Sequence, residues 1–356
     1  MKKNWFKEKT KKFSSIGGYQ KPELNQNALK LDSNENYVIS KQFQNDIIAS
    51  ARKISDVREY PLGGVERLIQ MISKFVKIPS SMIGVGNGSD QILDLILCNF
   101  ASKQTKVLIS NPTFGFFEER CKLYSIPLIA IPFSNDMKLD IKDFVKQSKN
   151  ADILYLDSPN NPTGFQFPKN KLQKLIKSFN GIVIIDEAYG EFSDYSFSSM
   201  VKTQENLIVV QTLSKSFGLA GLRLGYFIAN KKFTDAFMNI LQYPYPLSTI
   251  TIESGILALE KSNLMRDAVT NIKLERKRII ENLRKYDTFE VFDSKANFVL
   301  FDAHGIYKRV YSALAEQGIS IRKLGKIGNH EGCLRVTIGT KEMNSKFLLA
   351  IRDLLG

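Results

Sequence analysis

Between residues 105 and 229 the chain alternates short apolar, β-branched runs with stretches in which apolar positions recur every three or four residues. The runs are TKVLIS, PLIAIPF, DILYLD, GIVIID, LIVVQ and YFIA, and the stretches between them include FFEERCKLYS and NKLQKLIKSF. A short run that is apolar throughout suits a strand buried on both faces. Helical segments between such strands imply a mostly parallel sheet covered on both sides. The pattern predicts an α/β domain.

The pattern changes after Pro246. Residues 253–286 place Ile272, Ile279 and Leu283 on one face with Lys and Arg elsewhere, which predicts one long helix. Beyond it FEVF, ANFVLF, ISIRKL and LRVTIG read as strands and KRVYSALAEQG as a helix, predicting a smaller α+β domain. The segment YPYP, with Pro244 and Pro246, is the expected hinge. The first 35 or so residues have little periodicity and are expected to run across the small domain or a partner subunit. The expected division is an arm over 1–36 joining the small domain, a large domain over 37–246 and the small domain over 247–356.

Composition narrows the class. With 356 residues, 43% hydrophobic and 24% charged, the chain can bury a substantial core. Its longest apolar run, ILDLILCNF, contains Asp94 and is far too short to span a bilayer. The basic start MKKNWFKEKTKKFSS has no apolar stretch behind it and does not read as a secretory signal. Cys98, Cys121 and Cys333 are widely spaced and match no metal-ligand spacing, which points to reduced thiols in the cytoplasm. The net charge of +14 is spread along the chain without a nucleic-acid motif, so it reads first as solvated surface and second as attraction for anionic small molecules.

Several short stretches carry chemistry. In TLSKSFGLAGLRLGY, residues 212–226, Lys215 closes a strand, where loss of water disfavours the ammonium form and prepares an amine that can condense with an aldehyde. A lone loop lysine ordinarily keeps its head in water. Here Thr212 and Ser214 add hydroxyls, Gly218 and Gly221 allow a tight fold, and Arg223 adds a fork suited to phosphate. DILYLDSPNNPTG runs from a strand into a turn holding Asn160, Asn161, Pro162 and Gly164, at the strand end where open parallel sheets collect ligands.

In GIVIIDEAYGEF, Asp186 closes an apolar strand and needs a cation or donors. A helix cap and a metal shared with Glu187 are the competing readings, but further metal ligands are lacking nearby. IGVGNGSDQILDLIL leads from Gly84, Gly86 and Gly88 into Ser89, Asp90 and a helix, giving either an anion site or a simple N-cap. Phe114, in NPTFGFF, could stack on a flat ring or fill core.

Taken jointly, SPNNPTG, IIDEAY, TLSKSFGLAGLRLGY and LRVTIGT resemble the fold type I pyridoxal-phosphate enzymes, specifically the class II aminotransferases and, within them, the histidinol-phosphate aminotransferases. The similarity runs from LDSNEN at 31–36 to GCLRVTIGT at 332–340. The resemblance implies Lys215 as the amine that joins the cofactor aldehyde and moves the substrate proton, and Asp186 as the partner of the pyridine nitrogen. It implies Asn161 and Tyr189 on the ring's phenolic oxygen and Phe114 on its face. Arg223, Ser214, Thr212 and the N–H groups of Gly88, Ser89 and Asp90 would hold the phosphate, joined by Tyr60 from the other subunit of a homodimer. Tyr19, Asn34, Arg322 and Arg335 would bind substrate.

The chain departs from the family where Phe114 replaces a frequent tyrosine, where Leu62 breaks a common YPD, and where Lys323 follows Arg322 in place of an aspartate. The implied reaction passes an amino group between histidinol phosphate and 2-oxoglutarate, within histidine biosynthesis. Aromatic amino-acid transamination or phosphothreonine decarboxylation on the same scaffold are the neighbouring alternatives, and a basic binding protein is the alternative from another class.

Overall fold

The computed structural model describes residues 2–16, 28–54 and 56–356. Its strands are β1 (Leu29–Leu31), β2 (Ile83–Asn87), β3 (Val107–Asn111), β4 (Leu128–Pro132), β5 (Ile153–Asp157), β6 (Ile182–Asp186), β7 (Leu207–Thr212), β8 (Leu224–Ile228), β9 (Glu290–Val291), β10 (Phe298–Asp302), β11 (Ile319–Ile327) and β12 (His330–Thr337).

Seven of them form one sheet in the order β2-β8-β7-β6-β5-β3-β4. Neighbours from β7 through β4 run parallel, while β8 lies antiparallel to β7 and β2. The apolar runs form its centre because both faces are covered: every residue of β5 and β7 is buried. Fully buried side chains such as Ile184 and Val209 each contribute about 1.5–3 kcal/mol over exposure.

The second sheet, β1-β11-β12-β10-β9, is antiparallel except that β1 pairs parallel with β11 through Leu29↔Ile319 and Leu31↔Ile321. A segment from near the start of the chain thereby becomes the edge of a sheet built from its end. No helix among the described residues is long and apolar enough to cross a membrane.

Two local readings change. The single helix expected over 253–286 is two, Thr249–Glu260 and Ser262–Leu283, with Lys261 turned out of helical geometry at ψ 26°. Ser262 and Asn263, whose side chains compete for backbone hydrogen bonds, weaken the helix there. Within the first 35 residues, Lys2–Ile16 is helical and exposes Trp5, Phe6 and Phe13.

Candidate active site

The carboxyl ends of β3, β5, β6 and β7 face β11, β12 and the segment after β1 across a cavity of about 550 Å³. Lys215, three residues past β7, extends into it and donates from Nζ to the carbonyl oxygen of Ser33 at 3.1 Å. Burial, reinforced by the positive charge of Arg335, pulls its pKa down to about 8. Beside it Thr212 Oγ1 lies 3.0 Å from Ser214 Oγ and donates to the carbonyl of Leu224 at 2.9 Å.

At the same end the helix Gly88–Phe100 begins, and the Asn87 side chain makes no capping bond to its N–H groups. Gly88 has φ 80°, and a Cβ there would stand 2.6 Å from Arg223 Nη2. At Gly225 a Cβ would lie 2.3 Å from the Ser89 amide nitrogen. These two glycines let the guanidinium and the helix start approach one another, and Arg223 is held there by Asp90 Oδ2 at 2.7 Å. Helix N–H groups, a guanidinium and two hydroxyls make an anion cradle.

Asp186 ends β6 opposite Asp157, the last residue of β5. Asp186 Oδ1 accepts the Ala188 N–H at 3.0 Å and Oδ2 accepts the Tyr155 hydroxyl at 3.0 Å, with the Tyr155 ring stacked 3.6 Å from that of Phe117. Burial first, and then the Asp157 charge, push the Asp186 pKa up to about 7. A buried acid with donors but no ion pair among the described residues is suited to a cation brought by a ligand. Glu187 turns elsewhere: its carboxylate accepts from Ser196, Phe197 and Gln211, and it does not line the cavity, so the two acids do not form a shared metal site.

On the far wall Asn161 Oδ1 accepts from Arg335 Nη1 at 2.5 Å, and Arg335 Nη2 donates to the Asp32 carbonyl at 2.9 Å. The Arg335 guanidinium sits 5.0 Å over the Phe298 ring. Arg322 is its register partner on β11, and both line the cavity. Asn34, in the left-handed region at φ 56°, donates from Nδ2 to the Tyr189 hydroxyl at 2.8 Å. Phe114 also lines the cavity.

Of the residues to which the resemblance assigns a cofactor or substrate contact, only two with described positions are absent from the cavity lining. Gly88 contributes through its backbone at the helix start. Tyr60 lies elsewhere, 69% exposed and stacked on Tyr245 with ring centroids 4.1 Å apart. Tyr19 falls outside the described residues.

Sequence reasoning passed over Ser33, Asp157, Thr113 and Lys326, all in or bonded to the lining. Asp157 carried the same signal as Asp186, an acid closing an apolar strand, and could have been found by it. Among the described residues one trio of possible metal ligands, Glu290, Asp302 and His330, lies together with donor atoms within 4.8 Å of one another, outside the cavity lining.

The donor set fits pyridoxal phosphate: an anion cradle, an amine of lowered pKa, an acid waiting for a cation, an amide and an aromatic ring all face one cavity. The family model described as aminotransferase class I and II matches residues 20–351. A histidinol-phosphate aminotransferase of Pyrococcus furiosus is 36% identical over 326 residues, 91% of this chain and 92% of that protein.

Among solved structures, the histidinol-phosphate aminotransferase of Clostridium acetobutylicum is 28% identical with a TM-score of 0.82, covering 91% of this chain and 98% of that one. The Sinorhizobium meliloti structure, a histidinol-phosphate aminotransferase in complex with pyridoxal 5'-phosphate, shares the fold at TM-score 0.82 and 22% identity, covering 91% of this chain and 90% of that one. The chain belongs to the class I and II aminotransferases, a family of pyridoxal-phosphate-dependent enzymes.

Proposed function

We propose that this enzyme transfers the amino group of histidinol phosphate to 2-oxoglutarate, giving imidazole acetol phosphate and glutamate in histidine biosynthesis. The relatives' names support the reading, and one observation carries it: Arg322 and Arg335 stand directly opposite on β11 and β12 and line the cavity of Lys215. Two guanidinium groups on neighbouring strands present their donors to the same part of the cavity. A phosphate monoester or a dicarboxylic oxo acid offers enough charge for two guanidinium forks.

Pyridoxal phosphate, when bound, supplies an aldehyde carbon and an electron-withdrawing ring that eases loss of the proton beside the substrate nitrogen. In our reading Arg223, Ser214, Thr212 and the N–H groups of Gly88, Ser89 and Asp90 hold its phosphate. Asp186 would keep a proton on the ring nitrogen, Asn161 and Tyr189 would bond the phenolic oxygen, and Phe114 would lie on the ring face. The Lys215 amine, with its pKa near 8, would take the proton from the substrate carbon at Nζ and pass it on to the cofactor's former aldehyde carbon, so no histidine is needed. Arg335 and Arg322 orient the substrate, with Asn34 closing the site through Tyr189.

The proposed division of the chain remains 1–36, 37–246 and 247–356. We further propose a cytoplasmic homodimer in which Tyr60 reaches the partner's phosphate cradle. Its exposure, beside a groove of about 400 Å³ lined by Pro61, Leu62 and Tyr245, supports this.

Titration of the purified protein with histidinol phosphate, followed in the visible spectrum, tests the assignment: the cofactor band should convert, and 2-oxoglutarate should restore it. If aromatic amino acids react well and histidinol phosphate does not, the substrate assignment is wrong.

A further inference from the structure

Asp157 has none of the roles assigned above, yet it is buried in the wall of the cavity. Its Oδ1 accepts the Thr113 hydroxyl at 2.8 Å and the Asn160 amide at 2.9 Å, while Oδ2 accepts the Asn161 backbone N–H at 2.8 Å. The Asn160 amide also donates to the carbonyl of Pro112 at 3.1 Å. One carboxylate therefore ties the turn leading to Phe114 to the turn that carries Asn161.

Burying a carboxylate is costly, and a well-packed neutral residue would avoid that cost. What this position requires is acceptors on both ends of a short side chain. An asparagine of the same shape would turn an NH2 group toward one of the donors, leaving a buried pair of donors facing each other.

We propose that Asp157 is a positioning residue that places the Asn161 amide and the Phe114 ring together, and so sets how firmly the cavity holds the cofactor ring. The proposal rests on the reading of Asn161 as a cofactor contact. A purely structural acid would stabilise the turns without changing the electronic state or affinity of the bound cofactor.

The test uses Asp157→Asn, Asn161→Ala and the double variant, each stripped of cofactor and titrated with pyridoxal phosphate. Asp157→Asn should weaken cofactor binding about tenfold, the scale of one hydrogen bond to a charged group. It should also move the pH midpoint of the bound cofactor's visible band in the same direction as Asn161→Ala does. In the Asn161→Ala background, Asp157→Asn should change affinity by clearly less than in the wild type, about threefold or below, since only the part exerted through Phe114 then remains.

The proposal fails if Asp157→Asn lowers only the thermal midpoint, with affinity and spectrum unchanged, or if its effect is undiminished in the Asn161→Ala background. An Asn161→Ala protein that binds cofactor as the wild type does would instead remove the assigned role of Asn161. Should Asp157→Asn not fold, Thr113→Val carries the test: about threefold weaker cofactor binding that disappears in Phe114→Ala supports the proposal, and unchanged binding overturns it.

Discussion

Lys215 donates from Nζ to the carbonyl oxygen of Ser33 at 3.1 Å, so an amine carried by the seven-stranded sheet is held by backbone that follows a strand of the other sheet. The contact orients the lysine without neutralising it, and burial beside Arg335 favours its uncharged form.

Replacing Lys215 with Ala should remove the visible band of bound cofactor and lower transamination by at least about 10²–10⁴-fold, the range of a lost general base. The thermal midpoint of the cofactor-free protein should stay within about 3 °C, because the side chain faces a cavity. A variant that keeps both band and rate would remove Lys215 from the chemistry.

The amine should also be unusually reactive. In cofactor-free protein, modification of the peptide bearing Lys215 by an amine reagent, followed by mass spectrometry, should rise with a midpoint at about pH 8, well below the ordinary lysine value of 10.5. A midpoint at the ordinary value would show that burial does not act on this group as the geometry requires.

Asp186 predicts a pH dependence of stability in the cofactor-free protein. Its folded-state pKa is raised from 3.8 to about 7, so the folded chain binds this proton more tightly than the unfolded chain does. The contribution is fully present below about pH 4 and is lost as pH rises to about 7, a decline on the order of 2–4 kcal/mol. Denaturant melts across that window should flatten in Asp186→Asn; an equal decline in the variant assigns the effect elsewhere.

Arg322→Ala should raise KM for histidinol phosphate about 10- to 100-fold with little change in kcat, since a charge-assisted hydrogen bond of this kind is worth about 1.5–3 kcal/mol in ground and transition states alike. Unphosphorylated histidinol should be unaffected. Equal losses with both donors would place Arg322 outside a phosphate subsite.

A shared site between subunits has an arithmetic signature. Tyr60→Ala and Lys215→Ala proteins, mixed one to one and allowed to exchange, should recover about a quarter of wild-type sites, because half the dimers are hybrids and each hybrid has one site with both native residues. No recovery above the separate variants would place Tyr60 in its own subunit's chemistry or in none.

How far the site could be read in advance differed by residue. Lys215, Asp186 and Arg223 were legible because each is a polar group at or near the end of an apolar run, where burial demands a reason for it. Asp157 sat in an equally visible place, but its significance depends on lying opposite Asp186 across β5 and β6 and on reaching Thr113, a partner 44 residues away. Ser33 offers only a backbone carbonyl, which no residue type announces. The break at Lys261 was missed because the apolar face continues across it, while the competition from Ser262 and Asn263 is local and weak.

By itself the order of residues determined the layered α/β architecture, the polar groups at the strand ends and the cofactor that they suit. Burial on two faces and burial on one face leave different apolar periods in the chain, and these can be read locally. The tertiary structure alone decided that β1 joins β11, bringing Ser33 to Lys215 and Asn34 to Tyr189, and that Arg322 faces Arg335. Strand partners and register are set by which distant surfaces pack together, and that choice is made by the whole core at once.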